Sequence, residues 1–272
     1  MKSYKKEILQ EITNLSKNFA FITNNVTYID DNITIINKVS LAIHHSETLV
    51  ITGLSGSGKT TLLKLLYGLL YPTQGEVLIN GNNTNFLDLE SILEITKDML
   101  FIFQYGSLIN NLSVFDNLAL ANKYYSFEDE KKIEEKILKQ LDFFELKHRK
   151  DVRPAQLTLN EKKLVSFSKI LLRDYNAIFM DDPFSSVDET AIRKMSGVIK
   201  RLKKEKKTII ISTTNINYAY QFADKIGIID NGEMIFLGNI NEIKNIKNKE
   251  LIDIIKKIDN NLEDNIEMAE EL

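Results

Sequence analysis

The run Gly53–Thr60 contains the residues of this sequence that are best suited to chemistry. It reads Gly-Leu-Ser-Gly-Ser-Gly-Lys-Thr and matches the pattern G-x-x-x-x-G-K-[ST] without a gap. Its glycines let the backbone curl so that successive N–H groups point at a phosphate, where a Cβ would obstruct them. Lys59 would reach the β- and γ-phosphates, and the Thr60 hydroxyl would ligate Mg²⁺. The predicted nucleotide-binding residues of this run are Gly53, Ser55, Gly56, Ser57, Gly58, Lys59, Thr60 and the following Thr61.

The segments on either side of this run are those that a phosphate-binding loop requires. Leu49–Thr52 is a short apolar run typical of a strand, and Thr61–Tyr67 has the leucine density of a buried helix. A helix that begins at the loop adds its unpaired N-terminal amides and the positive end of its dipole. The alternative, a glycine-rich turn that contains Lys-Thr by chance, does not explain this strand-loop-helix order.

A phosphate loop needs a carboxylate that completes the Mg²⁺ site. The apolar segment Ile178–Met180 predicts a buried strand, and it ends in Asp181 and Asp182. A strand that ends in aspartate is the arrangement that supplies this carboxylate in phosphate-loop proteins. We therefore predict that Asp181 is a metal ligand together with Thr60.

Composition excludes several classes of protein and site. The chain has 272 residues, of which 43% are hydrophobic, so it can bury a full core. It has no cysteine, which excludes disulfides and thiolate metal sites, and its net charge of −3 gives no electrostatic reason to expect nucleic acid. The sequence contains no run of eighteen apolar residues, the length that a helix needs to span a bilayer. The charged N-terminal residues lead into no apolar signal segment, which argues against export.

The periodicity predicts an α/β protein with a mostly parallel sheet, because strands alternate with helices after the phosphate loop. Four short apolar runs within 19–43, separated by Asn and Asp clusters, predict four short antiparallel strands joined by turns, which would form an antiparallel β subdomain. A helix is predicted from Ser126 to Leu146, with Ser126 and Asp129 as a capping box, and another from Val165 to Leu172. The predicted divisions are a polar leader (1–18), a domain that contains the phosphate loop (19–240), and a C-terminal helix with an acidic tail (241–272).

Five features in this order resemble the ATP-binding subunits of ABC transporters, over about residues 19–238. They are the phosphate loop, Gln104 after a buried strand, the segment around Leu157, Asp181-Asp182-Pro183, and Ser185-Ser186-Val187-Asp188. The resemblance implies that residues 19–240 form an ABC-type ATP-binding domain: a P-loop NTPase core with an antiparallel β subdomain and an inserted helical subdomain at about 105–170. It also implies two cassettes that face each other, with each ATP between the phosphate loop of one and the signature segment of the other.

The resemblance assigns further roles by position. Thr60, Gln104 and Asp181 would organise Mg²⁺, and Lys59, Gln104, Asp182 and Thr214 would take part in ATP hydrolysis, with Asp182 orienting the attacking water. Thr158 in the signature segment would contact the γ-phosphate across the dimer. Tyr28, ahead of the phosphate loop, would stack on the adenine ring or serve as a core tyrosine; the sequence leaves both interpretations open.

Three elements depart from the family pattern. The signature segment reads Leu157-Thr158-Leu159-Asn160-Glu161, so Leu159 and Asn160 replace two glycines that allow close backbone approach. Asp182 stands where the family has a glutamate, one methylene longer, and Thr214 stands where it has a switch histidine. Because the parts that bind nucleotide are intact and those specific to hydrolysis are altered, we expect slow turnover.

One stretch indicates a subgroup. Phe103–Leu108 followed by Val114–Asn117 resembles the Mce/Mla-type lipid-transport ATPases, as does Phe184 after Pro183. This likeness implies a peripheral protein at the cytoplasmic face of the inner membrane that binds ATP and Mg²⁺ and drives a separate permease. Its other implied partners are a second ATP-binding subunit, identical or different, and a lipid-binding accessory protein. The permease would dock around Gln104–Asn117.

Three other functions compete with this one. A regulatory subunit would bind ATP and dimerise with little or no hydrolysis. An ATPase of DNA repair or chromosome maintenance would need long coiled coils or tandem cassettes, which this sequence lacks. An adenylate-type kinase would have no use for Leu157–Glu161 or for the Asp-Asp-Pro-Phe order.

Overall fold

Two sheets organise the computed structural model of the protein, which describes residues 18–125, 129–244 and 252–258. The strands are β1 (Phe19–Asp30), β2 (Ile33–His44), β3 (Thr48–Thr52), β4 (Gln74–Ile79), β5 (Asn82–Asn83), β6 (Met99–Ile102), β7 (Ala177–Asp181), β8 (Thr208–Thr213), β9 (Lys225–Asp230) and β10 (Glu233–Gly238). A six-stranded sheet has the order β10-β9-β3-β8-β7-β6, and a four-stranded sheet has the order β2-β1-β4-β5.

The six-stranded sheet is parallel except for β10, which pairs antiparallel with β9. Every residue of β3, β7 and β8 is buried. Such uninterrupted burial is typical of parallel strands that are covered on both faces, and it explains why their sequences read as continuous apolar runs. The predicted α/β class, with a mostly parallel sheet, is confirmed.

The four-stranded sheet is antiparallel in its described pairings, as predicted. The prediction of four short strands within 19–43 is wrong, because the segment forms only β1 and β2. Their register shifts between Thr23 and Val26, beside Asn25, which has a φ of 48°. Asparagine tolerates the left-handed region in a bulge as well as in a turn, so an Asn cluster alone does not distinguish the two.

The helices are α1 (Lys59–Tyr67), α2 (Leu89–Thr96), α3 (Val114–Tyr125), α4 (Glu130–Phe143), α5 (Leu159–Ser168), α6 (Glu189–Lys204), α7 (Ile216–Phe222) and α8 (Ile240–Lys244). The helix predicted from 126 to 146 is shorter at both ends, and Asp129 is its N-cap. Ser126, the other half of the predicted capping box, lies outside the described residues.

Helix α5 begins six residues before the predicted start at Val165. Thr158 and Glu161 form a capping box at its N-terminus, and after Ser168 the chain continues as a 3₁₀ turn, Lys169–Leu171. The predicted start is too late because it rests on the apolar run alone, whereas the Thr-x-x-Glu capping signal sets the true start of the helix.

The remaining divisions of the chain stay predictions. The polar leader lies outside the described residues except for Asn18. In the C-terminal part, α8 is followed by a helical segment at 252–258, in which Ile258 is buried, and the acidic end lies outside the described residues. Within the described ranges, no helix has the length and apolar character needed to cross a bilayer.

Two groups of buried side chains pack on opposite sides of the large sheet. Under the phosphate loop, the Phe179 ring of β7 makes edge contacts with Phe21 of β1 and Tyr67 of α1, at centroid distances of 5.1 and 5.3 Å. Aromatic contacts of this kind add to the burial of apolar area. They fix α1 against the strand that carries Asp181.

Candidate nucleotide-binding site

The loop between β3 and α1 forms a tight curl. Gly53, Gly56 and Gly58 have φ values of 156°, 78° and 102°, a range that L-residues with a Cβ seldom adopt. A Cβ on Gly58 would lie 2.9 Å from the Ile35 carbonyl oxygen. The helix starts at once, because the Leu62 N–H donates to the Gly58 carbonyl at 2.9 Å. The curl therefore directs the free amides at the start of α1 to one point.

Lys59 is almost fully buried inside this curl. Its Nζ donates to the carbonyl oxygens of Gly53 and Leu54, at 2.8 and 2.7 Å, and more weakly to Ser57 Oγ at 3.4 Å. Burial lowers the pKa of Lys59, and the nearby carboxylates of Asp182 and Asp181 oppose that shift. The ammonium group is thus enclosed by the same loop that would hold the phosphates.

Thr60 and Asp181 meet at the first turn of α1. The Thr60 hydroxyl lies 3.0 and 2.9 Å from the two carboxylate oxygens of Asp181, and Asp181 is only 3% exposed. Ser212 also donates to this carboxylate. Clustered carboxylate and hydroxyl oxygens are the ligands that Mg²⁺ prefers.

Ser212 was not predicted as a site residue. It pairs with Asp181 across the parallel strands β7 and β8, so both side chains lie side by side at the carboxyl-terminal edge of the sheet. The sequence carries a signal for it, since a hydroxyl near the end of the apolar run Thr208–Ile211 adjoins a strand that ends in aspartate.

Asp182 follows with an unusual backbone conformation, a φ of 43°. Its N–H donates to the Ser212 carbonyl at 3.0 Å and to Ser212 Oγ at 3.1 Å. Burial raises the pKa of Asp182, against the opposing effects of a Ser185 hydrogen bond and the Lys163 charge. A carboxylate with a raised pKa accepts a proton more readily than an ordinary aspartate.

A cavity of about 220 Å³ adjoins these groups. Its lining residues are Ile35, Ser55, Gly56, Gly58, Lys59, Thr60, Thr61, Gln104, Asp181, Asp182, Ser212 and Thr214. The structure therefore brings most of the predicted site residues together, with Gly53 and Ser57 in the same loop bound to Lys59. A larger cavity of about 600 Å³ lies between α4 and α6 and contains no part of the phosphate loop, so size does not identify the site.

Two predicted site residues lie away from this cavity. Tyr28 on β1 is half-buried and packs against the group of buried side chains that the β subdomain shares with α1 and one face of the large sheet. Thr158 caps α5: its hydroxyl accepts the Glu161 N–H at 3.2 Å, and the Glu161 carboxylate accepts the Thr158 N–H at 2.8 Å. Glu161 is also paired with Arg149 at 2.8 Å.

The loop after Gln104 is organised by Asn117. Its side-chain oxygen accepts the Ile109 N–H at 2.7 Å, and its amide donates to the carbonyls of Ile109 and Ser113, at 3.1 and 2.9 Å. Gly106 packs so closely on α5 that a Cβ would lie 2.7 Å from the Lys162 carbonyl oxygen. These contacts leave Tyr105 and Ile109 exposed by 69% and 44%.

Comparison with known proteins decides the family. A family model described as ABC transporter matches residues 36–185. The chain belongs to the ABC transporter ATP-binding family, whose members hydrolyse ATP.

The lipoprotein-releasing system ATP-binding protein LolD of Wigglesworthia glossinidia brevipalpis is 32% identical, with 74% of this chain and 88% of LolD covered. The methionine import ATP-binding protein MetN of Haemophilus influenzae is 28% identical, with 81% of this chain and 65% of MetN covered. The dimeric ATP-binding cassette MJ0796, solved in a post-hydrolysis state with ADP and Pi, is 28% identical and superposes with a TM-score of 0.75. That alignment covers 81% of this chain and 98% of MJ0796.

The loop geometry predicts unequal tolerance of two glycines. Gly56 and Gly58 both have positive φ, but a Cβ on Gly56 meets nothing within 4 Å, whereas one on Gly58 meets Ile36 and the Ile35 carbonyl. Gly58→Ala should lower the free energy of unfolding by about 1–3 kcal/mol more than Gly56→Ala, because the backbone must shift to admit the methyl group. Chemical denaturation of both variants measures this difference, and equal losses would contradict it.

Proposed function

We propose that this ABC transporter ATP-binding subunit binds Mg-ATP, hydrolyses it slowly, and drives a separate membrane permease that moves lipid. The observation that carries the proposal is the shared cavity of Lys59, Thr60, Asp181 and Asp182. A buried ammonium, a curl of backbone amides and two carboxylates suit a nucleoside triphosphate with its metal ion better than a neutral ligand.

The phosphates would bind to the amides of Gly56, Ser57 and Gly58 and to the Lys59 ammonium. Thr60, Asp181 and Gln104 would hold Mg²⁺, because their oxygen atoms suit a hard cation and all three line one cavity. Mg²⁺, when bound, supplies neutralisation of the charge on the phosphates. Tyr28 stays a prediction as the adenine-stacking residue.

Asp182 would orient the attacking water, because this residue lines the cavity and burial raises the pKa of its carboxyl group. Thr214 lines the same cavity and would donate one hydrogen bond to the γ-phosphate. Turnover would be slow because Asp182 reaches one methylene less far than glutamate and Thr214 cannot carry the charge of a histidine.

The signature segment supports slow turnover in a dimer. Leu159 is 38% exposed at the start of α5, where its side chain would stand between the helix and a nucleotide held by a second ATP-binding subunit. The Thr158 hydroxyl would approach that γ-phosphate. The same departures support a second candidate function, a regulatory subunit that binds ATP and dimerises with little or no hydrolysis.

The permease would dock on the loop that Asn117 organises. Tyr105 and Ile109 offer exposed apolar side chains there, directly after Gln104 in the nucleotide cavity, so the docked helix would sense nucleotide through this loop. Docking to a permease would place the subunit at the cytoplasmic face of the inner membrane as a peripheral protein. A lipid-binding accessory protein would complete the system.

The lipid class of substrate is tested with the permease that co-purifies with this chain from its native membrane. In lipid-free detergent micelles, added phospholipid should stimulate ATP hydrolysis by the complex several-fold through differential binding to one transporter state, whereas added methionine or spermidine should not. Stimulation by methionine or spermidine alone would overturn the lipid assignment and leave the ATPase assignment intact.

Slow hydrolysis is tested by restoring the family residues. The double variant Asp182→Glu/Thr214→His should raise kcat for ATP by about tenfold or more, because a well-placed general base contributes at least that much. Phosphate release by the purified full chain measures it, with Asp182→Asn as the matched control that should reduce the rate. An unchanged rate in the double variant, or a wild-type rate equal to that of an intact relative, would contradict the proposal; ATP binding without any phosphate release would favour the regulatory function.

A further inference from the structure

Lys163 is a buried lysine that the mechanism above does not use. It lies on α5, is 4% exposed, and was not singled out by the sequence, where it reads as the second residue of an ordinary Lys-Lys pair. Its Nζ donates to the Asp182 carbonyl at 3.0 Å and to both the carbonyl and the hydroxyl of Ser185. A buried cation is costly unless it is well hydrogen-bonded, so this position suggests a specific use.

These bonds hold a backbone conformation that is less favourable than the usual right-handed one. Asp182 has a left-handed φ of 43°, a region that aspartate tolerates better than most L-residues but still occupies at a cost in free energy. Ser212 of β8 holds the Asp182 N–H, and Lys163 holds its carbonyl. The Ser185 hydroxyl also donates to that carbonyl, at 3.2 Å. The direction of the Asp182 carboxylate therefore depends on Lys163 from one side.

A second bond joins the same helix to the far end of the same segment. Asn160 Nδ2 donates to Asp188 Oδ2 at 2.6 Å, while Asp188 Oδ1 caps α6 by accepting the Ala191 N–H at 2.9 Å. Asn160 and Lys163 are three residues apart and so lie on one face of α5. Together they attach the first two turns of α5, whose N-cap is the signature residue Thr158, to both ends of the segment Asp182–Asp188.

We propose that Lys163 is a positioning residue for ATP hydrolysis, and that with Asn160 it forms a brace that holds Asp182 in place from the signature helix. This inference rests on the proposed role of Asp182. In a dimer, the brace would link the segment that orients water at one nucleotide to the signature that contacts the other. It also gives Asn160 a function at a position where the family has glycine.

Kinetics of the full chain test the brace. Lys163→Met keeps the length of the side chain and removes its donors, so it should lower kcat by about tenfold or more, since small misplacements of catalytic groups cost that much. The KM for ATP should stay within about twofold, because the phosphate loop is untouched. Lys163→Arg keeps the charge and the donors and should recover most of the rate, a rescue that loss of packing alone would not give.

A double-mutant cycle separates positioning from general damage. If Lys163 acts through Asp182, then Asp182→Asn/Lys163→Met should be no slower than Asp182→Asn alone, because coupled residues are not additive. The inference would be overturned if the fold-losses in kcat of the two single variants multiplied in the double variant, or if Lys163→Met kept the wild-type kcat.

A second measurement does not depend on hydrolysis. Amide hydrogen exchange in residues 184–188 should be about tenfold faster in Lys163→Met than in the wild type, and exchange in α4 should change little. The exchange rate measures how often a segment opens locally, and only 184–188 would lose hydrogen bonds that keep it closed. Unchanged exchange in 184–188 would overturn the brace even if the chain hydrolyses ATP. Faster exchange in a chain that binds ATP but never hydrolyses it would retain the brace and reject the proposed activity.

Discussion

The contact between Thr60 and the Asp181 carboxylate is the constraint on which the site depends. It joins the first turn of α1 to the end of β7, two elements that are 121 residues apart in the chain. The parallel register of β7 and β8 sets Ser212 beside the same carboxylate, and the Phe179 ring packs α1 against β7 from below. Side chains from three elements therefore converge because the sheet fixes where each strand ends.

The charged side chains around the site are stabilised by hydrogen bonds from buried positions as well as by opposite charges nearby. Lys59 and Lys163 are both buried, and burial lowers the pKa of each. Each donates mainly to backbone carbonyls and hydroxyls, and each has the carboxylates of Asp181 and Asp182 nearby. Hydrogen bonds to a buried cation are stronger than those between neutral groups. Two cations and two carboxylates thus coexist in a small volume, where the phosphate charge of a nucleotide would be met by fixed groups and not by water.

The sequence predicted the α/β fold class and most of the residues that the structure gathers around one cavity. The phosphate loop, its helix and the strand ending at Asp181 follow from local patterns, since glycine spacing and apolar periodicity are written in consecutive residues. Residues whose role depends on pairing between distant segments were missed. Ser212 gains its role from strand register, and Lys163 from the face of α5 that packs on Asp182–Asp188, and neither relation is visible along the chain.

The start of α5 shows a second limit. Its capping signal, Thr158 with Glu161, lies in the segment that resembles the family signature, so the same residues indicate both nucleotide contact and the start of a helix. At Asn25 the sequence predicts a turn and the structure has a bulge, because both use the same residue type. Local chemistry identifies which conformations are allowed, and long-range packing selects among them.

The most direct test of the account is the affinity of the full chain for ATP when Lys59 is replaced by alanine. Lys59→Ala should weaken ATP binding about 10- to 100-fold, the magnitude expected from removing charge-assisted hydrogen bonds to phosphate. Lys64→Ala, on the partly exposed side of the same helix, should stay within about twofold of wild type. Equal affinity of wild type and Lys59→Ala for ATP would contradict the central claim that this loop binds a nucleoside triphosphate.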